Sequence, residues 1–199
     1  MKNFKRFLIL VLSMLAVTCF VFGCGGNADN SSSLEQNSSS SNVEDPNYYT
    51  QGLEYELNAD GNSYSVVGIG TATDLDIIIP ELYNNRPVTA IGEEAFKEKT
   101  ITSVKIPSGV TSIGEEAFFA CSNLTSITIP KLVTSIGEGA FDSCYNLASV
   151  IFENTEGWFV STSSSATSGT NLSSTDLANT STSATYLKST YRDYYWKRG

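Results

Sequence analysis

The stretch IPSGVTSIGEEAFFACSNLTSITIP, residues 106–130, is restated almost at once as IPKLVTSIGEGAFDSCYNLASVIF, residues 129–152. The two copies are 23 residues out of phase, and an incomplete copy before them extends the same spacing. Equivalent apolar positions are Ile101, Leu124 and Leu147, then Val104, Ile127 and Val150, and then Ile106, Ile129 and Phe152. Sequence self-similarity at a fixed period of roughly 20–50 residues indicates a solenoid, in which each repeat forms one coil.

A looser copy, DLDIIIPELYNNRPVTAIGEEAF, lies upstream at residues 74–96. Its apolar positions precede those of the next copy by 27 residues, because five residues are inserted within ELYNNR and one is lost after Phe96. Each copy also carries a second apolar set: Val88, Ile91, Ala95 and Phe96; Val110, Ile113, Ala117 and Phe118; Val133, Ile136, Ala140 and Phe141. One copy cannot bury both sets, whereas stacked copies form a continuous core. The spacing L-x-x-I-x-I therefore predicts a mostly β, short leucine-rich-repeat solenoid with irregular coils.

Glycines and prolines recur in phase with the repeat. The glycines, each following an isoleucine, are Gly92, Gly114 and Gly137, and the prolines are Pro80, Pro107 and Pro130. We expect the glycines to serve a turn that needs positive φ, and the prolines to end each strand because they lack an N–H donor.

The segment before the repeats predicts an N-terminal cap. LEYELNADGNSYSVVGIG, residues 53–70, contains two runs of alternating apolar and polar residues around Ala59–Asn62. This pattern is typical of a β-hairpin. We therefore assign residues 48–74 to a hairpin cap and residues 75–153 to the repeats.

The segment after the repeats, residues 154–199, predicts a polar loop followed by a capping helix. The loop is STSSSATSGTNLSSTDLANTSTS, which is of low complexity. In SATYLKSTYRDYYWKRG, Leu187, Tyr191 and Tyr194/Tyr195 recur at helical spacing, and Lys197 and Arg198 would complement the helix C-terminus. In an alternative interpretation, Trp158 and Trp196 contact a glycan, the cell wall or lipid.

LTSITIPKLVTSIGEGAFDSCYNL, residues 124–147, resembles the BspA-like leucine-rich repeats of bacterial surface proteins, which combine L-x-x-I-x-I-P, V-x-x-I-G-x-x-A-F and C-x-x-L. The resemblance covers residues 75–153 and implies a curved, non-enzymatic surface module that binds proteins or mediates adhesion. The first copy departs from the pattern, with Lys99 in place of cysteine. The residues of the later copies that carry the pattern are Ile106, Pro107, Ile113, Gly114, Phe118, Cys121, Leu124, Ile129, Pro130, Ile136, Gly137, Phe141, Cys144 and Leu147.

The N-terminus, MKNFKRFLILVLSMLAVTCFVFGCGG, predicts export. Three basic residues precede an uncharged apolar run from Phe7 to Phe22, which is the layout of a signal peptide over residues 1–23. VFGC resembles the lipobox of bacterial lipoproteins and would make Cys24 the acylated first residue of the mature chain. Cys19 is a weaker candidate because no small residue precedes it directly. Ordinary cleavage and release is the alternative.

Residues 24–47 predict a flexible tether. Leu34 and Val43 are their only large apolar side chains, too few to offset the entropy of ordering the segment. Removing residues 1–23 takes away three of the 12 basic residues and none of the 21 acidic ones, which leaves a formal charge of −12. Such an acidic chain lacks the clustered Lys/Arg surface that a nucleic-acid partner requires.

The strand pattern predicts a candidate binding face, because residues between inward-facing ones point outward. They form two columns: Asp76, Ser103, Ser126 and Ser149, and Ile78, Lys105, Thr128 and Ile151. Solenoids commonly bind partners on such a face. An ordinary solvated face is the alternative.

Two further constellations have a structural and a chemical interpretation. Glutamates recur in each coil at Glu93/Glu94, Glu115/Glu116 and Glu138, with Gly139 in the second position of the last copy. We favour a solvated acidic rim over a Ca²⁺ site, because the oxygen-rich Asp/Asn loop is missing. Cys121 and Cys144 occupy equivalent positions of adjacent coils, where we favour buried free thiols over a disulfide because ladder neighbours point in parallel.

The sequence thus favours a lipid-anchored, non-catalytic protein-binding or adhesion module on the bacterial cell surface. A structural or assembly lipoprotein that contacts other envelope proteins is the alternative. We expect a monomer without metal or cofactor. An enzyme is disfavoured because the chain contains no histidine and no evident nucleophile–base pair.

Overall fold

A computed structural model describes residues 48–199, so the predicted signal peptide, Cys24 and the tether lie outside the described residues. The strands are β1 (Glu54–Leu57), β2 (Tyr64–Gly68), β3 (Asp76–Ile78), β4 (Leu82–Tyr83), β5 (Arg86–Ile91), β6 (Ser103–Lys105), β7 (Ser112–Ile113), β8 (Ser126–Ile129), β9 (Ser135–Ile136), β10 (Ser149–Phe152), β11 (Trp158–Ser161), β12 (Thr170–Asn171) and β13 (Tyr195–Arg198). The helices are α1 (Ser174–Ala178) and α2 (Thr180–Thr185), which continues into a π-helical turn, Tyr186–Thr190. This is the predicted mostly β solenoid, with about four coils and a short C-terminal helical segment.

The first strand of each coil lies on one side of the solenoid, called here the strand face and formed by β3, β6, β8 and β10. β3 pairs in parallel with β6, and β8 with β10. Ile77 lies opposite Val104, and Ile127 opposite Val150, so the register follows the sequence alignment of the copies even across the 27-residue first period. The alternating pattern buries these side chains and turns their neighbours outward.

The second apolar set forms the opposite sheet. β5, β7 and β9 pair in parallel, with Ile91 opposite Ile113 and Ile113 opposite Ile136. The turns that follow stack as well: Phe96 N donates to Ala117 O and Phe118 N to Ala140 O, both at 2.8 Å. Each coil therefore satisfies its neighbour's backbone along two strands and a turn, as a core stacked from repeats requires.

The core between the sheets is a set of columns of equivalent residues. Phe96, Phe118 and Phe141 are fully buried and stack with ring centroids 5.3 and 5.1 Å apart. Aromatic rings prefer such offset contacts at about 4.5–7 Å. The repeated A-F motif thus builds one aromatic column along the solenoid.

The phase-locked glycines act differently from our expectation. Gly92, Gly114 and Gly137 do not have positive φ; the left-handed positions are instead Glu94, Glu116 and Gly139, two residues later in each coil. A Cβ at Gly114 would lie 2.5 Å from Glu93 N, and one at Gly137 would lie 2.4 Å from Glu115 N. These glycines are needed because adjacent coils approach too closely for a side chain.

The N-terminal hairpin is present and caps the first coil. β1 and β2 pair antiparallel, and β2 pairs in parallel with β5, where a preceding coil would lie. Asp60 in the connecting turn accepts hydrogen bonds from the backbone N–H of Asn62 and Ser63, at 2.8 and 3.0 Å. On the strand face, Thr50 covers β3: Thr50 N donates to Ile78 O, and Ile78 N donates to Thr50 Oγ1, each at 2.9 Å.

The C-terminal cap is helical, as predicted, but the helix ends earlier. α1 and α2 contact β10, and Leu177, Ala184 and Leu187 are buried. Part of the predicted polar loop is therefore ordered as helix. Lys197 and Arg198 do not follow a helix C-terminus; they belong to β13, which pairs antiparallel with both β9 and β11.

Candidate binding surface

The outward residues of the strand face form the two predicted columns. In the first column, Asp76 accepts hydrogen bonds from Thr102 Oγ1 at 2.6 Å and Ser103 Oγ at 2.7 Å. These bonds lower the pKa of the Asp76 carboxyl group. At the N-terminal end of the first column, Asp76 and Ser103 are therefore already hydrogen-bonded within the protein.

The second column borders a shallow groove. Its larger part, about 640 Å³, is bounded on the strand face by Ile78, Lys105 and Thr128, and at the strand ends by Pro80 and Pro107. Three exposed apolar residues complete this wall: Tyr48, 57% exposed, Tyr49, 40%, and Leu82, 57%. Large exposed apolar side chains grouped around a concavity are typical of binding surfaces.

A second depression of about 430 Å³ continues across the face. It shares Lys105, Thr128 and Glu153 with the first and adds Ile151, which is 49% exposed. Together the two depressions are here called the strand-face groove. Six of the eight predicted residues line it, namely Ile78, Ser103, Lys105, Ser126, Thr128 and Ile151, whereas Asp76 and Ser149 do not.

Two glutamates at the groove margin are tied to the backbone. Glu81 Oε1 accepts from Ser108 N at 3.1 Å and from Ser108 Oγ at 3.2 Å. Glu153 Oε2 accepts from Lys131 N at 2.9 Å. Each carboxylate therefore closes a turn of the neighbouring coil as well as bordering the groove.

Sequence reasoning missed the residues that enter the groove from outside the repeat columns. Tyr48 and Tyr49 precede the hairpin, and Leu82 lies in the insertion of the first copy. Both positions could have been found where the sequence departs from its pattern. ELYNNR adds five residues to one coil only, and Tyr48 and Tyr49 follow a stretch almost devoid of large apolar residues.

Comparison with known proteins identifies the repeat. The family model described as BspA type leucine rich repeat region matches residues 77–189 in six copies. The chain belongs to this family. The match includes the α1–α2 segment, beyond the limit of residue 153 that the sequence pattern suggested.

Solved structures of bacterial leucine-rich-repeat proteins are similar to this BspA-type chain. The T. pallidum leucine rich repeat protein is 26% identical, with a TM-score of 0.49, over 51% of this chain and 47% of that one. A leucine rich cell surface protein from Faecalibacterium prausnitzii is 31% identical, with a TM-score of 0.44, over 53% and 29%. A Bacteroides ovatus leucine-rich repeat protein is 33% identical, with a TM-score of 0.46, over 52% and 29%.

The match covers only part of each of these proteins. This chain spans about half the length of the T. pallidum protein and under a third of the length of the other two. A comparison with curated proteins gives no match. Leucine-rich-repeat domains are generally binding scaffolds whose stacked strands present an extended surface.

The acidic rim of the BspA-type coils lies away from the strand-face groove. Lys97 Nζ bridges it, bonding Glu94 Oε1 at 2.7 Å and also Glu116 Oε2. These two carboxylates raise the pKa of Lys97. Among residues 48–199, no three Cys, Asp or Glu side chains are grouped so that they could hold a metal ion.

Both repeat cysteines are free and fully buried. Burial raises the pKa of Cys121 to about 11 and that of Cys144 to about 12. A thiol must ionise to act as a nucleophile, so these positions disfavour that chemistry.

The alternative role of the tryptophans as surface contacts is wrong. Trp158 and Trp196 are each only 1% exposed and pack against Phe152, with centroids 5.3 and 6.0 Å away. They close the last coil, because a stacked core would otherwise expose its final apolar layer to water.

Proposed function

We propose that this BspA-type protein is a non-catalytic module that binds a protein partner through the strand-face groove. The observation that carries the proposal is that four of the eight large exposed apolar residues described between residues 48 and 199 lie around one concavity, namely Tyr48, Tyr49, Leu82 and Ile151. Buried apolar area is the main source of affinity in protein association, and aromatic side chains often dominate it.

We further propose that the chain is exported and held at the bacterial cell surface by acylation of Cys24. The basic–apolar–VFGC order of residues 1–24 supports this, and residues 25–47 would supply reach on the order of 25–30 Å if they behave as a Gly/Ser-type linker. None of the helices described between residues 48 and 199 has the length and apolarity to cross a bilayer. Stable anchoring would need at least two acyl chains.

The binding proposal is tested with a matched pair of surface substitutions in the full-length chain. Ile151, in the groove, and Leu132, outside it, are 49% and 52% exposed, so Ile151→Arg and Leu132→Arg make the same change at equal exposure. A photoreactive amino acid at position 128 is used to crosslink the chain to surface proteins of intact cells.

We expect a saturable protein adduct that unlabelled chain competes away, that Ile151→Arg abolishes and that Leu132→Arg retains. Equal adducts in both variants would exclude the groove as the contact surface. Competition also separates a specific partner from incidental capture.

The anchor is tested by metabolic fatty-acid labelling and protease shaving of cells that produce the wild type or Cys24→Ala. Labelled protein that is accessible to protease, and that is released in the variant, supports a surface lipoprotein. Protein that carries no label would refute the anchor, and labelled protein that is protected from protease would favour a partner inside the envelope.

A further inference from the structure

Within residues 48–199, the lysine at the centre of the strand-face groove, Lys105, has no ion-pair partner. Lys105 is exposed and lines both depressions. Within residues 48–199, its ammonium group makes no hydrogen bond and no ion pair, whereas Lys97, Lys188 and Arg192 each do. Lys99, Lys131 and Lys197 also form no ion pair within these residues, so what distinguishes Lys105 is its place in the groove.

Among residues 48–199, the two nearby glutamates form no ion pair with Lys105, although both keep their negative charge. Glu81 is bound to Ser108, and Glu153 to the backbone of Lys131, one coil away in each case. Neither carboxylate lies within ion-pair distance of the ammonium group, since no such pair exists in the part of the chain that the structure describes. The groove therefore offers one free cationic site between two acidic margins.

Apolar surface lies on both sides of this cation. Lys105 is opposite Ile78 in the β3–β6 ladder, and Thr128 is opposite Ile151 in the β8–β10 ladder. Adjacent strands are about 4.8 Å apart, so Ile78 lies about 5 Å and Ile151 about 10 Å from Lys105 along the face. Tyr49 and Leu82 extend the apolar wall beyond Ile78.

We propose that the strand-face groove takes an extended peptide segment of a partner protein, with an acidic side chain on Lys105 and apolar side chains on either side. In an extended chain, side chains two residues apart point the same way and are about 6.6 Å apart. The acidic residue is thus followed or preceded, two positions away, by an apolar residue that reaches Ile78 and Tyr49. This inference rests on the proposed function and adds the chemistry of the ligand.

The lining of the strand-face groove suits an extended peptide. The walls are mainly aliphatic side chains and three proline rings, Pro80, Pro107 and Pro130, and the only aromatic faces, Tyr48 and Tyr49, lie at one end. Apolar walls with a few well-placed polar groups suit apolar side chains and one charge. The hydroxyl groups of Ser103, Ser126 and Thr128 also line the groove, where they could bond the backbone of an extended peptide.

The experiment measures the binding of the full-length chain to a positional-scanning library of extended heptapeptides, in low and in physiological salt. Wild type is compared with Lys105→Glu and with Lys99→Glu, which makes the same charge change at an exposed lysine that does not line the groove. Ile151→Arg reports whether binding occurs in the groove at all.

We expect wild type and Lys99→Glu to select Asp or Glu at one position and an apolar residue two positions away. Lys105→Glu should weaken binding of the selected peptides about tenfold and select Lys or Arg instead, because the change loses one ion pair and adds a repulsion of similar size. The difference should shrink as salt is added.

Peptide binding that Ile151→Arg abolishes, but that shows no acidic preference or is unchanged in Lys105→Glu, would overturn the inference and leave the proposed function standing. If no peptide is selected while crosslinking from position 128 still gives its competed adduct, the groove binds a different surface chemistry and the inference fails alone. If neither peptide selection nor the crosslinked adduct is observed, both the inference and the proposed function are refuted.

Discussion

The thiol of Cys144 donates a 3.0 Å hydrogen bond to the carbonyl oxygen of Phe118, which lies in the preceding coil. Cys121 repeats this contact one coil earlier, with Phe96 O at 2.9 Å. The cysteines of the C-x-x-L motif therefore join adjacent coils through thiol hydrogen bonds. The first copy has Lys99 at this position, and within residues 48–199 it is preceded by the β1–β2 hairpin rather than by a coil.

We expect the free energy of unfolding to fall as the pH rises above about 9. Unfolded thiols ionise near pKa 9.0, whereas burial raises the pKa to about 11 for Cys121 and about 12 for Cys144. Their contribution is thus complete below pH 9 and is lost as the pH rises toward the folded-state values. The loss should be about 1.4 kcal/mol per pH unit for each thiol.

Urea denaturation from pH 7 to pH 10.5 measures this dependence. The double variant Cys121→Ala/Cys144→Ala should be less stable at pH 7 but should show a flatter decline above pH 9, because the two buried thiols no longer contribute to it. Parallel pH profiles in the two proteins would contradict a role for the buried thiols.

The close approach of adjacent coils predicts that Gly137→Ala is strongly destabilising. Its Cβ would lie 2.4 Å from Glu115 N and 2.6 Å from Gly114 C, so the coils must separate. We expect a loss of about 1–3 kcal/mol, the usual range for overpacking. Gly109→Ala is the control, because its Cβ would meet nothing closer than 3.7 Å. Equal denaturation midpoints for the two variants would argue against steric exclusion.

The left-handed backbone at Glu98 predicts that a glycine substitution there affects stability differently from one at Glu93. Glu98 has φ of 60°, whereas Glu93 does not have positive φ. Replacing a left-handed residue with glycine removes about 1 kcal/mol of backbone strain. At other positions the same substitution lowers the free energy of unfolding by about 0.5–1 kcal/mol, because glycine loses more chain entropy on folding. We expect Glu98→Gly to match or exceed wild-type stability and Glu93→Gly to fall below it. Thermal denaturation of both variants should separate them, and a larger loss in Glu98→Gly would reverse the argument.

The burial of Trp196 predicts a structural role for β13. Trp196→Ala should destabilise the protein by about 3–5 kcal/mol, since it empties the closing aromatic layer. Tyr145→Ala, at a side chain 76% exposed, should change stability by less than about 0.5 kcal/mol. Native tryptophan fluorescence that acrylamide quenches readily would contradict this burial.

The coil register could be predicted from the sequence because equivalent apolar residues must stack to exclude water. Even the 27-residue first period aligned Ile77 with Val104. The closing elements were harder. Tyr195–Arg198 also fits helical spacing, but its strand is stabilised by pairing with β9 and β11, which lie far away in sequence.

The glycine roles could not be separated by sequence either. Both steric exclusion and positive φ favour glycine, and Gly139, which has φ of 65°, is replaced by Glu116 in the preceding coil. The strand-face columns followed from alternation, whereas the contribution of Tyr48 and Tyr49 depends on how the N-terminal segment lies along β3.

The antiparallel β13, placed between β9 and β11, has an evolutionary consequence. A further 23-residue unit inserted between two existing coils could pair its strands in parallel with the coils on both sides. One appended after β10 would instead have to displace β13 and the α1–α2 helices. Chains of this design are thus expected to lengthen by internal duplication, while their two end pieces are inherited unchanged.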